Sequence, residues 1–182
     1  ATVTRVSATP NNDFCSGFSA LPLIQEYDNV VVVQTFSKSR SMAGVRIGYA
    51  MAQPELIQAM NDVRYSFNSY PMSRLSVVAG VAALGDEAYF QETVAKVIET
   101  REKTKRELHR LGFTFQDSMT NFIFAVHDRV PAQVIFEKLR EMHIFVRHFQ
   151  APRIDNYLRI SIGTNEEMKR FLDAVQEIVG SY

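Results

Sequence analysis

The chain has little of what usually declares a function in a sequence. Cys15 is the only cysteine in 182 residues, and there is no tryptophan. An internal disulfide is therefore excluded, and so is a zinc site built on cysteines. Net charge is also missing, because twenty basic and twenty acidic side chains cancel. Without a global field, recruitment of nucleic acid or of an anionic membrane surface has no support. No apolar run approaches the ~20 residues of a membrane span. Residues 1–10 lack the basic-then-apolar order of a signal peptide. A Gly-x-Gly-x-x-Gly string is absent, which removes the usual pointer to a dinucleotide. His109, His127, His143 and His148 are scattered, and spacing supplies no further ligands, so no metal site is expected. A cytoplasmic setting is the expectation.

Apolar residues make up 46% of the chain, enough for an ordinary core. Residues 1–18 are weakly patterned and read as a loop or arm, with a turn signal at Pro10-Asn11-Asn12-Asp13. A short helix over 20–25 precedes Val30 to Gln34, whose β-branched run without alternation predicts a strand buried on both faces, as in a parallel sheet. A second short strand is expected over 47–51. Pro54 suits the first turn of a helix to about Tyr65, with Leu56, Ile57, Met60 and Val63 on one side. Phe67 to Pro71 breaks the pattern. Residues 73–84 predict a well-buried helix, and 86–111 a long one whose charged later half, Arg101 to Glu107, reads as a solvated face. Strands over 113–116, 121–126, 144–147 and 157–162 then interleave with helices over 132–142 and 165–179. This predicts an α/β layer unit.

The chemistry concentrates in Thr35-Phe36-Ser37-Lys38-Ser39-Arg40-Ser41-Met42-Ala43-Gly44-Val45-Arg46-Ile47-Gly48. A lysine amine condenses with an aldehyde when it is partly desolvated or has a cationic neighbour, for which Arg40 and Arg46 are candidates. Arg46 offers a planar fork for a phosphate. Thr35 and Ser37 add hydroxyl donors. Gly44 permits close backbone approach or a positive φ. Aldehyde capture and phosphate capture on one loop suit pyridoxal 5'-phosphate. Each residue taken alone is more often ordinary surface.

The whole window resembles the lysine signature of class I and II aminotransferases, which share the aspartate aminotransferase fold. Asp28-Asn29-Val30-Val31-Val32-Val33, Asn68-Ser69-Tyr70-Pro71 and Leu158-Arg159-Ile160-Ser161-Ile162-Gly163-Thr164 are similar to the histidinol-phosphate members. The likeness covers roughly residues 19–182. It implies an α/β chain with the type I fold of pyridoxal-phosphate transferases, truncated. Residues 1–18 would be an atypical N-terminal segment, 19–69 a remnant of the large cofactor-binding domain and 70–182 the complete small C-terminal domain.

The resemblance also implies roles. Lys38 would bind the cofactor aldehyde and later carry a proton between the substrate α-carbon and the cofactor. Thr35, Ser37 and Arg46 would hold the cofactor phosphate. Arg159, otherwise a strand-edge arginine in a salt bridge, would clamp a substrate α-carboxylate. The implied reaction moves an amino group between glutamate and imidazole-acetol phosphate. The implied partners are these small molecules and, for the full-length family, a second subunit in a homodimer. A related decarboxylase of phosphorylated amino acids and a non-catalytic α/β interaction module are the alternatives.

The family pattern breaks upstream of Ser19. Aligning the family's spacer end on Asp13-Phe14 puts Ala8 where an aspartate meets the pyridine nitrogen, and Asn11 where a tyrosine stands. Little or no turnover, and weak cofactor binding, are therefore expected of this chain by itself.

Overall fold

The computed structural model describes residues 5–8, 12–15 and 19–182. The chain divides into two compact units, with the boundary inside one long helix, after Val94.

The first unit holds a three-stranded sheet of β1 (Arg5–Ala8), β2 (Val30–Thr35) and β3 (Gly48–Met51), in the order β1-β2-β3. β1 is parallel to β2, with Ala8 opposite Val33. β3 is antiparallel to β2, with Thr35 opposite Gly48. The loop or arm expected over residues 1–18 is thus corrected at Arg5–Ala8, which form a strand, and at Asn12–Phe14, which make a 3-10 turn. Pro10 and Asn11, the start of the expected turn, lie outside the described residues. The apolar start of β2, Val30 to Val32, is buried, while Val33 to Thr35 are half-buried. The sheet is mixed rather than parallel, and the far end of β2 opens toward the lysine loop.

Around the sheet lie α1 (Pro22–Glu26), α2 (Pro54–Phe67) and α3 (Arg74–Gly85). Pro22 and Pro54 stand in the first turns of α1 and α2, where a missing N–H costs nothing. The Ser73 hydroxyl caps α3 by accepting from the Ser76 N–H at 3.1 Å.

The well-buried helix expected over 73–84 is corrected. In α3 only Gly80 is buried, while Leu75 is 81% and Val81 66% exposed. Small and apolar composition shows that a helix can be covered, but not that a covering surface is present. A tight contact is at Gly80, where an added Cβ would meet Ile47 Cδ1 at 2.9 Å. The expected face of α2 is likewise half-buried at Leu56 and Ile57 and exposed at Met60 and Val63.

The second unit contains the later part of α4 (Glu87–Arg110), the antiparallel sheet β4 (Phe113–Phe115), β5 (Phe122–His127), β7 (Leu158–Ser161) and β6 (Arg147–His148) in the order β4-β5-β7-β6, and the helices α5 (Ala132–Glu141) and α6 (Asn165–Gly180). β5 alternates between buried and half-buried residues. Ile123 and Ala125 join Leu108, Ile135, Leu139, Phe171 and Val175 in one core. Each such side chain contributes roughly 1.5–3 kcal/mol when fully buried. α6 begins with a reciprocal cap, Glu167 N–H to Thr164 Oγ1 at 3.2 Å and Thr164 N–H to the Glu167 carboxylate at 2.8 Å.

Two expectations in this unit need correction. The strand placed over 144–147 is confined to Arg147–His148, because His143 takes φ 58° and the Ile144 N–H turns back to the Leu139 carbonyl at 2.8 Å. The charged half of α4 is also not uniformly solvated. Arg101 is buried, and the Lys105 side chain is only 12% exposed.

Candidate functional site

The lysine loop is pinched off by the β2–β3 pair. The Phe36 N–H donates to the Ile47 carbonyl at 3.1 Å. Thr35 Oγ1 lies 3.0 Å from that same carbonyl and 2.8 Å from Ser37 Oγ, and it accepts from the Ser37 N–H at 3.1 Å. The single Thr35 proton is shared between the Ser37 oxygen and the Ile47 carbonyl, so the Ser37 hydroxyl keeps its own proton for an outside acceptor. Ser37 is the freer donor of the two. Thr35 pins the neck of the loop and gives up its bond to Ile47 if its proton turns to an anion.

Lys38 follows at the start of a tight turn closed by the Ser41 N–H to the Lys38 carbonyl at 3.0 Å. The lysine side chain is exposed and makes no ion pair or side-chain hydrogen bond among the described residues. The two residues inside the turn are anchored. Ser39 is buried, and its hydroxyl donates to the Asp13 carboxylate. Arg40 donates to the Ala83 carbonyl, pairs with Glu87 at 3.7 Å, and places its guanidinium 4.1 Å from the Phe90 ring centroid. Arg40 is thus engaged with α3 and α4. Positive φ falls on Ser41 (54°) and Arg46 (57°), not on Gly44.

Arg46 is exposed, and its Nη1 donates to the Ala43 carbonyl at 3.1 Å. It precedes Ile47, whose carbonyl accepts from the Phe36 N–H and the Thr35 hydroxyl at the neck of the loop. An amine, two hydroxyls and a guanidinium form a donor set that suits an aldehyde and a phosphate. Thr35 and Ser37 are in contact, and Lys38 and Arg46 lie on the same loop.

Arg159 belongs to the second unit. It is exposed on β7, opposite Phe124 of β5 and Arg147 of β6, with its guanidinium 5.6 Å from the Phe122 ring centroid. Neither Arg147 nor Arg159 has an ion pair among the described residues. The salt bridge that would make Arg159 an ordinary strand-edge residue is therefore not formed there. A cleft of about 680 Å³ runs along Phe122, Phe124, Tyr157 and Arg153 of this unit.

Three of the histidines, His109, His127 and His148, have structural partners. His127 Nδ1 accepts from the N–H groups of Arg129 and Val130, and its Nε2 donates to the Leu111 carbonyl at 2.9 Å. His109 stacks on Phe115, and His148 Nε2 lies 2.6 Å from the Asp155 carbonyl. Sequence reasoning missed the anchors of the lysine turn. Ser39 meets a residue 26 positions away and Arg40 one 43 positions away, and no local pattern carries such pairings.

A histidinol-phosphate aminotransferase of Brachyspira hyodysenteriae is 49% identical over 167 residues, covering 92% of this chain and 47% of that protein. The corresponding protein of Lactococcus lactis is 51% identical over 157 residues, 86% of this chain and 44% of its own length. The chain thus spans about half the length of the curated relatives it matches. Among solved structures, histidinol-phosphate aminotransferase from Sinorhizobium meliloti in complex with pyridoxal-5'-phosphate superposes with a TM-score of 0.84 at 31% identity, covering 97% of this chain and 48% of that one. The family model for aminotransferase class I and II matches residues 11–175, so the chain, with its lysine loop and its arginine strand, belongs to the class I and II aminotransferases.

Proposed function

We propose that this chain supplies the lysine and the phosphate contacts of a pyridoxal 5'-phosphate site. The activity it serves is amino-group transfer of the histidinol-phosphate type, between glutamate and imidazole-acetol phosphate. The observation that carries this reading is the loop itself. An exposed Lys38, without an ion pair among the described residues, shares one loop with Thr35, Ser37 and Arg46, and the neck is closed on Ile47. The similarity to histidinol-phosphate aminotransferases supports the substrate assignment.

Pyridoxal 5'-phosphate supplies the aldehyde and the electron-accepting ring. The protein supplies placement. Ser37 turns its hydroxyl proton to a phosphate oxygen while its own oxygen still accepts from Thr35. Arg46 adds a charged fork, and charge-assisted bonds are about twice as strong as neutral ones. Lys38 Nζ is held by no carboxylate, so it is free to give up a proton, attack a carbonyl carbon and later accept a proton from a substrate α-carbon. Arg159 and Arg147 side by side suit a substrate with two anionic groups, a carboxylate and a phosphate. Under the same proposal, residues 19–69 belong to the cofactor-holding domain and 70–182 to the small domain.

Titration with pyridoxal 5'-phosphate tests the reading. A visible absorbance band that Lys38→Ala abolishes and Arg46→Gln weakens is expected. A band that survives Lys38→Ala would contradict it.

A further inference from the structure

We propose that Arg40 is a positioning residue for Lys38. It locks the turn that presents the lysine, a role the amine-and-phosphate reading does not itself assign. The inference rests on that reading for the identity of the group Lys38 meets.

Lys38, Ser39, Arg40 and Ser41 form one turn, closed at 3.0 Å between the Lys38 carbonyl and the Ser41 N–H. Its two inner side chains point away from solvent and its first side chain points toward it. Ser39 is fixed to Asp13. The Arg40 side chain, 13% exposed, reaches the corner between α3 and α4 and is held there in several ways at once. It donates to the Ala83 carbonyl, near the C-terminus of α3, where carbonyls lack helical partners and a cation is favoured. It pairs with Glu87 in the first turn of α4. Its plane lies over Phe90 at 4.1 Å and near Phe36 at 5.4 Å. Phe36 is itself buried and donates its N–H across the neck of the loop. The guanidinium therefore connects the neck, the turn and the helix corner.

A lysine side chain has four rotatable bonds, so its reach is set by where its Cα is held. Releasing Arg40 frees the turn without removing any group that contacts cofactor or substrate. Lysine at this position keeps the charge toward Glu87 but lacks the planar fork and the stacking surface, so it restores only part of the effect.

The test is selective trapping. The 182-residue chain is incubated with pyridoxal 5'-phosphate and reduced with borohydride, and the labelling rate at Lys38 is divided by that at the exposed Lys169 in the same sample. Wild type is expected to favour Lys38. Arg40→Met is expected to lower that ratio about tenfold, as small misplacements of a reacting group do, with unchanged labelling at Lys169. Arg40→Lys is expected to recover part of the loss. An unchanged ratio in folded Arg40→Met overturns the inference and leaves the cofactor reading standing. Labelling without preference for Lys38 in wild type overturns the cofactor reading, and this inference with it. If Arg40→Met does not fold, Glu87→Gln and Arg40→Lys are read in the same assay, and wild-type ratios in both overturn the inference.

Discussion

Arg147 and Arg159 face each other directly across the antiparallel β6–β7 pair, with no ion-pair partner for either among the described residues. Like charges directly opposite on a sheet destabilise it by roughly 0.2–1 kcal/mol. Replacing Arg147 with Gln is therefore expected to raise the melting temperature slightly while weakening the binding of a dianion. Thermal melts with and without inorganic phosphate check both halves. A variant that loses stability and keeps phosphate binding would contradict the reading of the pair as an anion site.

The charged stretch of α4 predicts a pH dependence. Hydrogen bonds from Lys105 hold the Asp117 carboxyl below its usual range. Burial pushes Glu102 up, but bonds from Lys105 and Arg101 outweigh it and the net direction is down. Burial pushes Lys105 down, but its bonds to Asp117 and Glu102 outweigh that and the net direction is up. The depressed carboxylates stabilise the fold above their unfolded values, about 4, and this is lost as pH falls through their folded values. The raised lysine stabilises it below about 10.4, and this is lost as pH rises through its folded value. Lys105→Met should therefore flatten both limbs of the stability profile in denaturant melts taken across pH.

Ser41 adopts φ 54° without being glycine. A left-handed conformation costs an L-residue roughly 1–2 kcal/mol, and glycine's extra chain entropy returns part of that. Ser41→Gly is expected to stabilise the chain by about 0.5–1 kcal/mol in urea unfolding. A loss of stability would show that the serine hydroxyl contributes more than its backbone costs.

Leu75, Val78 and Val81 are each more than 60% exposed on α3. Exposed apolar area on this scale predicts self-association of the chain. Light scattering should show a species larger than the monomer that shrinks with Val78→Glu and Val81→Glu. A clean monomer in wild type would contradict this.

Much of the architecture was legible from local pattern. Pro54 and Pro131 mark the helix starts at α2 and α5. The lysine window was legible because Thr35, Ser37, Lys38 and Arg46 are close in sequence. What escaped depends on distant partners. Arg5–Ala8 becomes a strand through pairing with β2. Arg101 is buried although its neighbours are charged, because it reaches the Thr120 carbonyl at 3.1 Å. Arg40 is an anchor because α3 ends beside it. The exposure of α3 could not be read from composition, which states an affinity for burial and not the presence of a covering surface.

The central claim is that Lys38 is the amine of a pyridoxal 5'-phosphate site. Borohydride reduction of the cofactor-treated chain, followed by peptide mapping, tests it most directly. The account predicts label concentrated at Lys38 over all other lysines. Label spread evenly over the exposed lysines would contradict it.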